Sequence, residues 1–166
     1  YDVVIEFEVT PNRSDCLSLL GIAREIRALT GNSVRLPPRE LHETGTAATT
    51  IDVDDVSLCP RYVGRVVSNV RVGPSPAWLQ HRLRAIGQRP VNNVVDITNY
   101  VMLELGQPLH AFDLDRIEGN RVVVRLARCG EIVTTLDGTC RTLHNDMLVV
   151  ADSNRPVAIA GIIGGT

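Results

Sequence analysis

The chain has 166 residues, 44% of them hydrophobic and 22% charged, with 17 basic and 19 acidic residues and a formal net charge of −2. This length supports a sizeable core, and the composition excludes disordered and collagen-like proteins. No apolar run approaches the roughly 20 residues that span a bilayer, and the start at Tyr1 and Asp2 lacks a basic signal-peptide region. We therefore expect a cytoplasmic protein with no membrane partner.

The first predicted elements form one βα unit over residues 1–36. Alternate residues of 3–9 are apolar, which predicts a half-buried strand that begins at residue 2. The polar run 10–15 predicts the cap of a helix over about 16–30, with Gly31 as its stop. Residues 37–50 contain two adjacent prolines and lack periodicity, so they predict a linker before a second domain over 51–166.

The second domain begins with predicted strands at 50–53 and 62–70. Ser75 and Pro76 predict the start of a helix that ends at Gly87, with Ser75 as the N-cap. Another helix is predicted over 93–105, and Gly106 terminates it. Further strands are predicted at 121–126, 131–136, 140–143, 147–151 and 156–162, with a hairpin turn at 137–138. We therefore expect an α+β fold with mixed and antiparallel sheets and flanking helices.

The helix over 93–105 lies in the most unusual stretch of the chain, RPVNNVVDITNYVMLELGQPLHAFD at 89–113. Polar residues occupy positions where a purely structural helix would carry apolar ones. Asn and Thr are mediocre helix formers because their side chains compete for backbone groups. A requirement other than helix propensity therefore places them here.

This stretch resembles the bacterial phenylalanyl-tRNA synthetase beta subunit family, in the region that forms its editing domain. Four other blocks match the same family in the same order: EVTPNRSDCLSLLGIAREIRALTG at 8–31, CPRYVGRVV at 59–67, TLDG at 135–138 and PVAIAGIIGG at 156–165. The resemblance implies the latter part of the family's first module, followed by most of its editing fold. In the family that fold continues into strands carrying a glutamate that recognises the tyrosine hydroxyl, so we expect a C-terminally truncated, poorly active pocket here.

The resemblance implies catalytic roles for His110, Thr98 and Asn99. A lone histidine is more often structural, and Thr98 and Asn99 could instead bond to carbonyls one turn back or face solvent. The resemblance also implies a substrate-binding wall at Gly161, with Asn93 and Gly164 assigned to the same set; residues 92, 93 and 96 could equally be supports. We expect Thr98, Asn99, His110 and Gly161 to converge on one cleft.

The activity implied by the resemblance is hydrolysis of mischarged tyrosyl-tRNA(Phe) by water, without a covalent nucleophile. The region itself would need no cofactor, whereas the whole enzyme uses ATP and magnesium. The implied partners are the alpha subunit, in a heterotetramer of two alpha and two beta chains, and tRNA(Phe). Two alternatives remain open: a non-catalytic tRNA-binding or subunit-assembly module, and a free-standing aminoacyl-tRNA deacylase homologue.

Two other groups of residues have side chains that could bind a phosphate backbone or a metal ion. The arginines at 82, 84 and 89 could follow a phosphate backbone, but a solvated helix face is the favoured interpretation, and the net negative charge predicts poor tRNA binding by the isolated segment. The four cysteines lack CxxC spacing and are expected to be reduced. Zinc binding by Cys129, Cys140 and His144 fits no common finger, so we expect no metal site.

Overall fold

The computed structural model describes residues 3–38, 40–46 and 49–166, so predictions for residues 1–2 and for positions 39, 47 and 48 of the linker lie outside the described residues. The chain divides into two compact units that are interleaved along the sequence. The first unit comprises the described residues up to 42 together with 70–111, and the second comprises those of 43–69 together with 112–166. This grouping differs from the consecutive domains expected at 1–36 and 51–166, and the linker stays a prediction.

The first unit is helical. It contains a short 3₁₀ helix at Ser14–Leu17 and three α-helices: α1 (Leu19–Thr30), α2 (Ala77–Ala85) and α3 (Asn93–Leu105). Helix α3 contacts both α1 and α2. Gly31 and Gly106 end α1 and α3 in the left-handed conformation, with φ of 74° and 81°, as the sequence predicted. Over the described ranges, no helix combines the length and apolar character needed to cross a membrane.

Two predicted strands are wrong. Residues 3–9 have no regular structure, and their large apolar side chains are exposed, among them Ile5 at 69%. Residues 62–70 are also irregular, and Asn69 has a φ of 59°, which is incompatible with a strand. Alternation of apolar residues defines a face, but a strand also needs a neighbour for its backbone groups. Within the described chain neither segment pairs with a strand, so the βα unit expected at the start is not formed.

The second unit is built on a five-stranded sheet in the order β1-β2-β5-β6-β7. The strands are β1 (Thr50–Val53), β2 (Arg121–Leu126), β5 (Leu148–Ala151), β6 (Pro156–Ile159) and β7 (Ile163–Gly164). Strands β1 and β2 are parallel, and the remaining neighbours are antiparallel. A separate hairpin pairs β3 (Ile132–Thr134) with β4 (Cys140–Thr142) around the predicted turn at 137–138. The α+β class with mixed and antiparallel sheets is confirmed.

Both faces of the sheet are covered by apolar residues. One cluster contains Ala127, Val133, Leu143, Val149, Ala151 and Ile159, and the other contains Ile117, Val122, Val150 and Ala158. Val149 and Val150 fall in different clusters because successive side chains of a strand point to opposite faces. Short 3₁₀ helices at Leu114–Arg116 and Glu118–Asn120 precede β2. This two-sided core holds the hairpin and the C-terminal glycine segment in place.

Candidate functional site

The N-terminal turn of α3 is fixed by asparagine side chains. Asn92 is the N-cap, and its side-chain oxygen accepts a hydrogen bond from the Val95 N–H at 3.0 Å. Asn93 uses both ends of its amide: its Oδ1 accepts from the Gly73 N–H at 3.1 Å, and its Nδ2 donates to the Arg71 carbonyl at 2.9 Å. These bonds attach the segment 71–73 to the start of α3. They describe a supporting role for Asn93, and its predicted contact with substrate stays a prediction.

Asp96 is a buried carboxylate inside α3, with 1% of its surface accessible. One oxygen accepts the Ser75 hydroxyl at 2.5 Å, and the other accepts the Val91 N–H at 2.8 Å. Ser75 was expected to cap α2, and this expectation is wrong: Pro76 occupies the N-cap position and makes no side-chain cap bond. The serine hydroxyl is instead committed to Asp96, because a buried carboxylate must be hydrogen-bonded.

Thr98 and Asn99 lie one turn farther along α3 and are half-buried. The Thr98 hydroxyl donates to the Val95 carbonyl at 2.7 Å. Because its only hydrogen is used there, Thr98 can offer a ligand an acceptor oxygen but no donor. Among the described residues, no hydrogen bond to the Asn99 side chain is found, so its amide can offer both a donor and an acceptor.

His110 follows the end of α3 by five residues, in an exposed irregular segment. Enough protein surrounds its ring for burial to lower the pKa of the imidazole below the ordinary histidine value. A lowered pKa favours the neutral form of the imidazole near pH 7. A base or a water-orienting group needs this protonation state.

Gly161 occupies the turn that joins β6 to β7. The Ile162 N–H donates to the Ile159 carbonyl at 3.1 Å, and Gly161 has a φ of 70°, as required at the third position of a type II turn. A Cβ added at Gly161 would meet no heavy atom within 4 Å, so its backbone conformation, rather than crowding, is what favours glycine. Gly164 is buried in β7, and its carbonyl accepts the Leu136 N–H at 2.9 Å.

An open groove that the sequence analysis did not predict lies beside this turn. Its volume is about 630 Å³, and it is lined by Arg141, Thr142, Leu143, Asp146, Met147, Leu148, Ile159, Ala160, Ile162 and Ile163. Arg141 donates to the Asp137 carboxylate at 2.8 Å and to the Thr135 hydroxyl at 3.1 Å. Asp137 accepts hydrogen bonds from the Thr135 hydroxyl, the Thr139 N–H and Arg141, and these bonds, the Thr135 one foremost, hold its pKa far below its usual range. The groove is thus mainly apolar, with the polar hairpin network at one side.

The predicted site residues belong to two different units. Asn93, Thr98, Asn99 and His110 lie in the first unit, whereas Gly161 and Gly164 lie in the second. Their convergence on one cleft stays a prediction. Within the first unit, the structure separates Asn92, Asn93 and Asp96, which support α3, from Thr98 and Asn99, which retain groups for a ligand.

The B3/4 domain family matches residues 58–166, which are well over half of the chain. This chain belongs to the B3/4 domain family. It is also similar to phenylalanine–tRNA ligase beta subunits: 58% identical to that of Moorella thermoacetica, 54% to that of Carboxydothermus hydrogenoformans and 52% to that of Geobacter sulfurreducens. Each similarity covers 99% of this chain and 21% of the relative. The chain therefore spans about a fifth of the length of these relatives, and the predicted family resemblance is confirmed.

In the described part of this B3/4 chain, one set of three side chains could hold a metal ion: Asp15, Cys16 and Glu25. Arg13 already donates to both carboxylates, at 2.9 Å to Asp15 and 2.7 Å to Glu25. The guanidinium supplies the positive charge that a cation would otherwise bring. The site residues predicted in α3 and at His110 are separate from this set.

Proposed function

We propose that this chain is the part of a phenylalanine–tRNA ligase beta subunit that supports hydrolytic editing of mischarged tyrosyl-tRNA(Phe). The observation that carries the proposal is 58% identity to a beta subunit over 99% of the chain. The similarity covers 99% of the chain and therefore extends across both units. The proposed activity belongs to protein synthesis, as part of an aminoacyl-tRNA synthetase.

Editing is needed because binding alone discriminates poorly between tyrosine and phenylalanine. Tyrosine differs from phenylalanine by one hydroxyl, and a hydrophobic pocket rejects such an analogue by only ~100-fold. A second, hydrolytic site can remove the tyrosine after it has been attached. A water molecule would attack the ester carbonyl, and polar groups would stabilise the charge that develops on its oxygen.

Three of these side chains have chemistry suited to this reaction. His110 has a pKa lowered by burial, so its neutral imidazole can orient the attacking water or take its proton. Thr98 has already donated its hydrogen to Val95, so it would accept a hydrogen bond from the substrate's ammonium group. Asn99 would donate its amide N–H to the substrate or to the water. Gly161 and Gly164 would form part of the wall against which the amino acid lies.

The proposed activity sets the partners and the location. No cofactor is needed for hydrolysis by this region, whereas ATP and magnesium would serve amino-acid activation elsewhere in the whole enzyme. The partners would be an alpha subunit, in a tetramer of two alpha and two beta chains, and tRNA(Phe). A role in translation implies the cytoplasm.

A second candidate is a non-catalytic module that positions tRNA or assembles subunits. It is favoured by the internal hydrogen bonds of Asn93 and Thr98, which give both side chains a purely structural explanation. A free-standing deacylase is less favoured, because the beta-subunit similarity includes the first 40 residues as well as the B3/4 match.

The test uses the Moorella thermoacetica beta subunit in which this 166-residue sequence replaces the matching segment, assembled with its alpha subunit. Hydrolysis of tyrosyl-tRNA(Phe) is measured with and without His110→Ala, and phenylalanine-dependent ATP–pyrophosphate exchange is the control. We expect His110→Ala to slow hydrolysis by about 100-fold and to leave exchange nearly unchanged. Equal loss of both activities would assign His110 to the structure, and unchanged hydrolysis would favour the non-catalytic module.

A further inference from the structure

The exposed side of α2 carries a packed group of Trp78, Arg82 and Tyr100, here called the Trp78 cluster. The two rings meet edge to face, with centroids 5.7 Å apart and an interplanar angle of 89°. The guanidinium carbon of Arg82 lies 5.6 Å from the Trp78 ring centroid and 5.9 Å from that of Tyr100. Trp78 is nevertheless 55% exposed, so most of one large aromatic surface remains open.

The cluster is held in a fixed geometry. Arg82 donates to the Tyr100 hydroxyl at 2.6 Å, and that hydroxyl donates to Glu104 at 3.0 Å. Leu79 and Leu83, on the buried side of α2, are each 1% exposed and anchor the helix. An arginine side chain has five N–H donors, and one serves Tyr100, so Arg82 can still hold an anion.

Basic residues predominate in the segment that carries α2, and the carboxylate bonded to the cluster is Glu104 of α3. Residues 70–95 include Arg71, Arg82, Arg84 and Arg89 and no Asp or Glu, although the whole chain has a net charge of −2. Among the described residues, no carboxylate forms a salt bridge with any of these four arginines. The next acid, Asp96, is buried and committed to Ser75 and Val91. The segment 70–95 therefore presents guanidinium groups that form no salt bridge among the described residues, and Arg82 packs beside the open indole of Trp78.

We propose that this surface binds an unpaired stretch of RNA, with one base stacked on Trp78 and phosphates held by Arg82, Arg84 and Arg89. Bases stack on exposed aromatic rings, and phosphates pair with guanidinium groups. An acidic peptide would use the arginines but not the open indole. The choice of RNA over DNA rests on the proposed function. The sequence alone favoured a solvated helix face, and the packing of Arg82 against two rings changes that interpretation.

Trp78 is the single tryptophan of the chain, so its fluorescence reports stacking directly. The 166-residue chain is titrated with a ~12-nucleotide oligoadenylate RNA, a length within the range of known single-strand sites. We expect the emission to be quenched on binding. With three phosphates neutralised, the logarithm of affinity should fall with slope of about −2 against the logarithm of salt, or roughly 20-fold from ~50 to ~200 mM.

Variants separate the two contributions. Arg84→Gln should reduce the salt slope by about 0.7, whereas Arg27→Gln on α1, also exposed, should leave it unchanged. Trp78→Leu should weaken binding of fluorescein-labelled oligoadenylate by about tenfold, measured by anisotropy. Far-UV circular dichroism checks that each variant keeps its helices.

The proposal is overturned if the oligoadenylate does not bind at low salt, or if Trp78→Leu and Arg84→Gln bind it as the parent chain does. Equal binding of polyglutamate without quenching would assign the surface to an acidic protein partner. The assay contains no hydrolysis step, so its outcome does not depend on the proposed editing residues. Failure here is therefore distinguishable from failure of the editing proposal.

Discussion

The two units of the molecule are stabilised by different kinds of interaction. In the described part of the first unit, the large apolar side chains that are fully buried are Leu79 and Leu83, and they share the interior with Ser75 and Asp96. The second unit instead buries two clusters of aliphatic residues, one on each face of its sheet. Polar residues in α3 are therefore not by themselves a sign of function, because some of them stabilise the first unit in place of an apolar core.

The largest expected effect is a loss of stability in the second unit, whose core is aliphatic. Leu143 is 1% exposed in the larger cluster, so Leu143→Ala should cost about 3 kcal/mol through lost burial and a cavity. Leu136→Ala, in the same hairpin region but 62% exposed, is the matched control. Hydrogen exchange of peptides covering 121–126 and 148–159 should show lost protection for the first variant only. Equal protection in both would mean that the cluster does not stabilise the sheet.

A smaller loss of stability is expected when the buried hydrogen bonds of Asp96 are removed. Asp96→Ala leaves the Ser75 hydroxyl and the Val91 N–H without their buried acceptor, which should cost about 2 kcal/mol. Glu6→Ala, at an exposed carboxylate of the same unit, should cost less than about 0.5 kcal/mol. Urea unfolding followed by Trp78 fluorescence reports the unit concerned, because Trp78 lies in α2. A stability for Asp96→Ala equal to that of the control would remove the distinction between the two units.

The smallest effect concerns acid stability in the second unit. Glu131 accepts two bonds from Arg125, at 2.7 and 2.8 Å, and one from the Arg128 N–H. The Arg125 hydrogen bonds are the main reason that the pKa of Glu131 lies below its ordinary value. Stability from this group is therefore complete above the unfolded pKa of ~4.3 and is lost as pH falls through the folded value.

The corresponding measurement is the melting temperature between about pH 3 and pH 6, with Glu131→Gln compared with the parent chain. The variant should lose part of the decrease that the parent shows below about pH 4.3. Glu43→Gln breaks a mostly exposed ion pair with Arg65 in the same unit and is the control. An acid profile of Glu131→Gln identical to that of the parent would show that the Arg125 pair contributes nothing to pH dependence.

The sequence predicted the elements whose signals are local. The helix predicted over 93–105 with Gly106 as its stop is α3, and the strand predicted at 121–126 is β2. The strands predicted at 3–9 and 62–70 were wrong, because the alternation of apolar residues does not show whether a neighbouring strand is present. Long-range polar pairs were equally hidden: Ser75 has good cap chemistry, and nothing local indicates that it bonds to Asp96, 21 residues away.

The same limit applies to the candidate site. The unusual polarity of the stretch 89–113 was visible in the sequence, and the resemblance selected Thr98, Asn99 and His110 within that stretch. The sequence could not show that the first turn of α3 supports the helix, whereas the second turn retains hydrogen-bonding groups for a ligand. That division depends on which backbone groups lie within reach of each side chain, as the Asn93 bonds to Arg71 and Gly73 illustrate.

The central claim is that Asn99 acts on a substrate whereas Asn93 supports the helix. The most direct measurement compares Asn99→Ala with Asn93→Ala in the chimeric enzyme, by hydrolysis of tyrosyl-tRNA(Phe) and by hydrogen exchange of peptides covering 70–105. We predict that Asn99→Ala slows hydrolysis at least about tenfold with unchanged exchange, while Asn93→Ala exposes the segment 71–73. The account is contradicted if Asn99→Ala hydrolyses at the parent rate while Asn93→Ala loses hydrolysis with its protection intact.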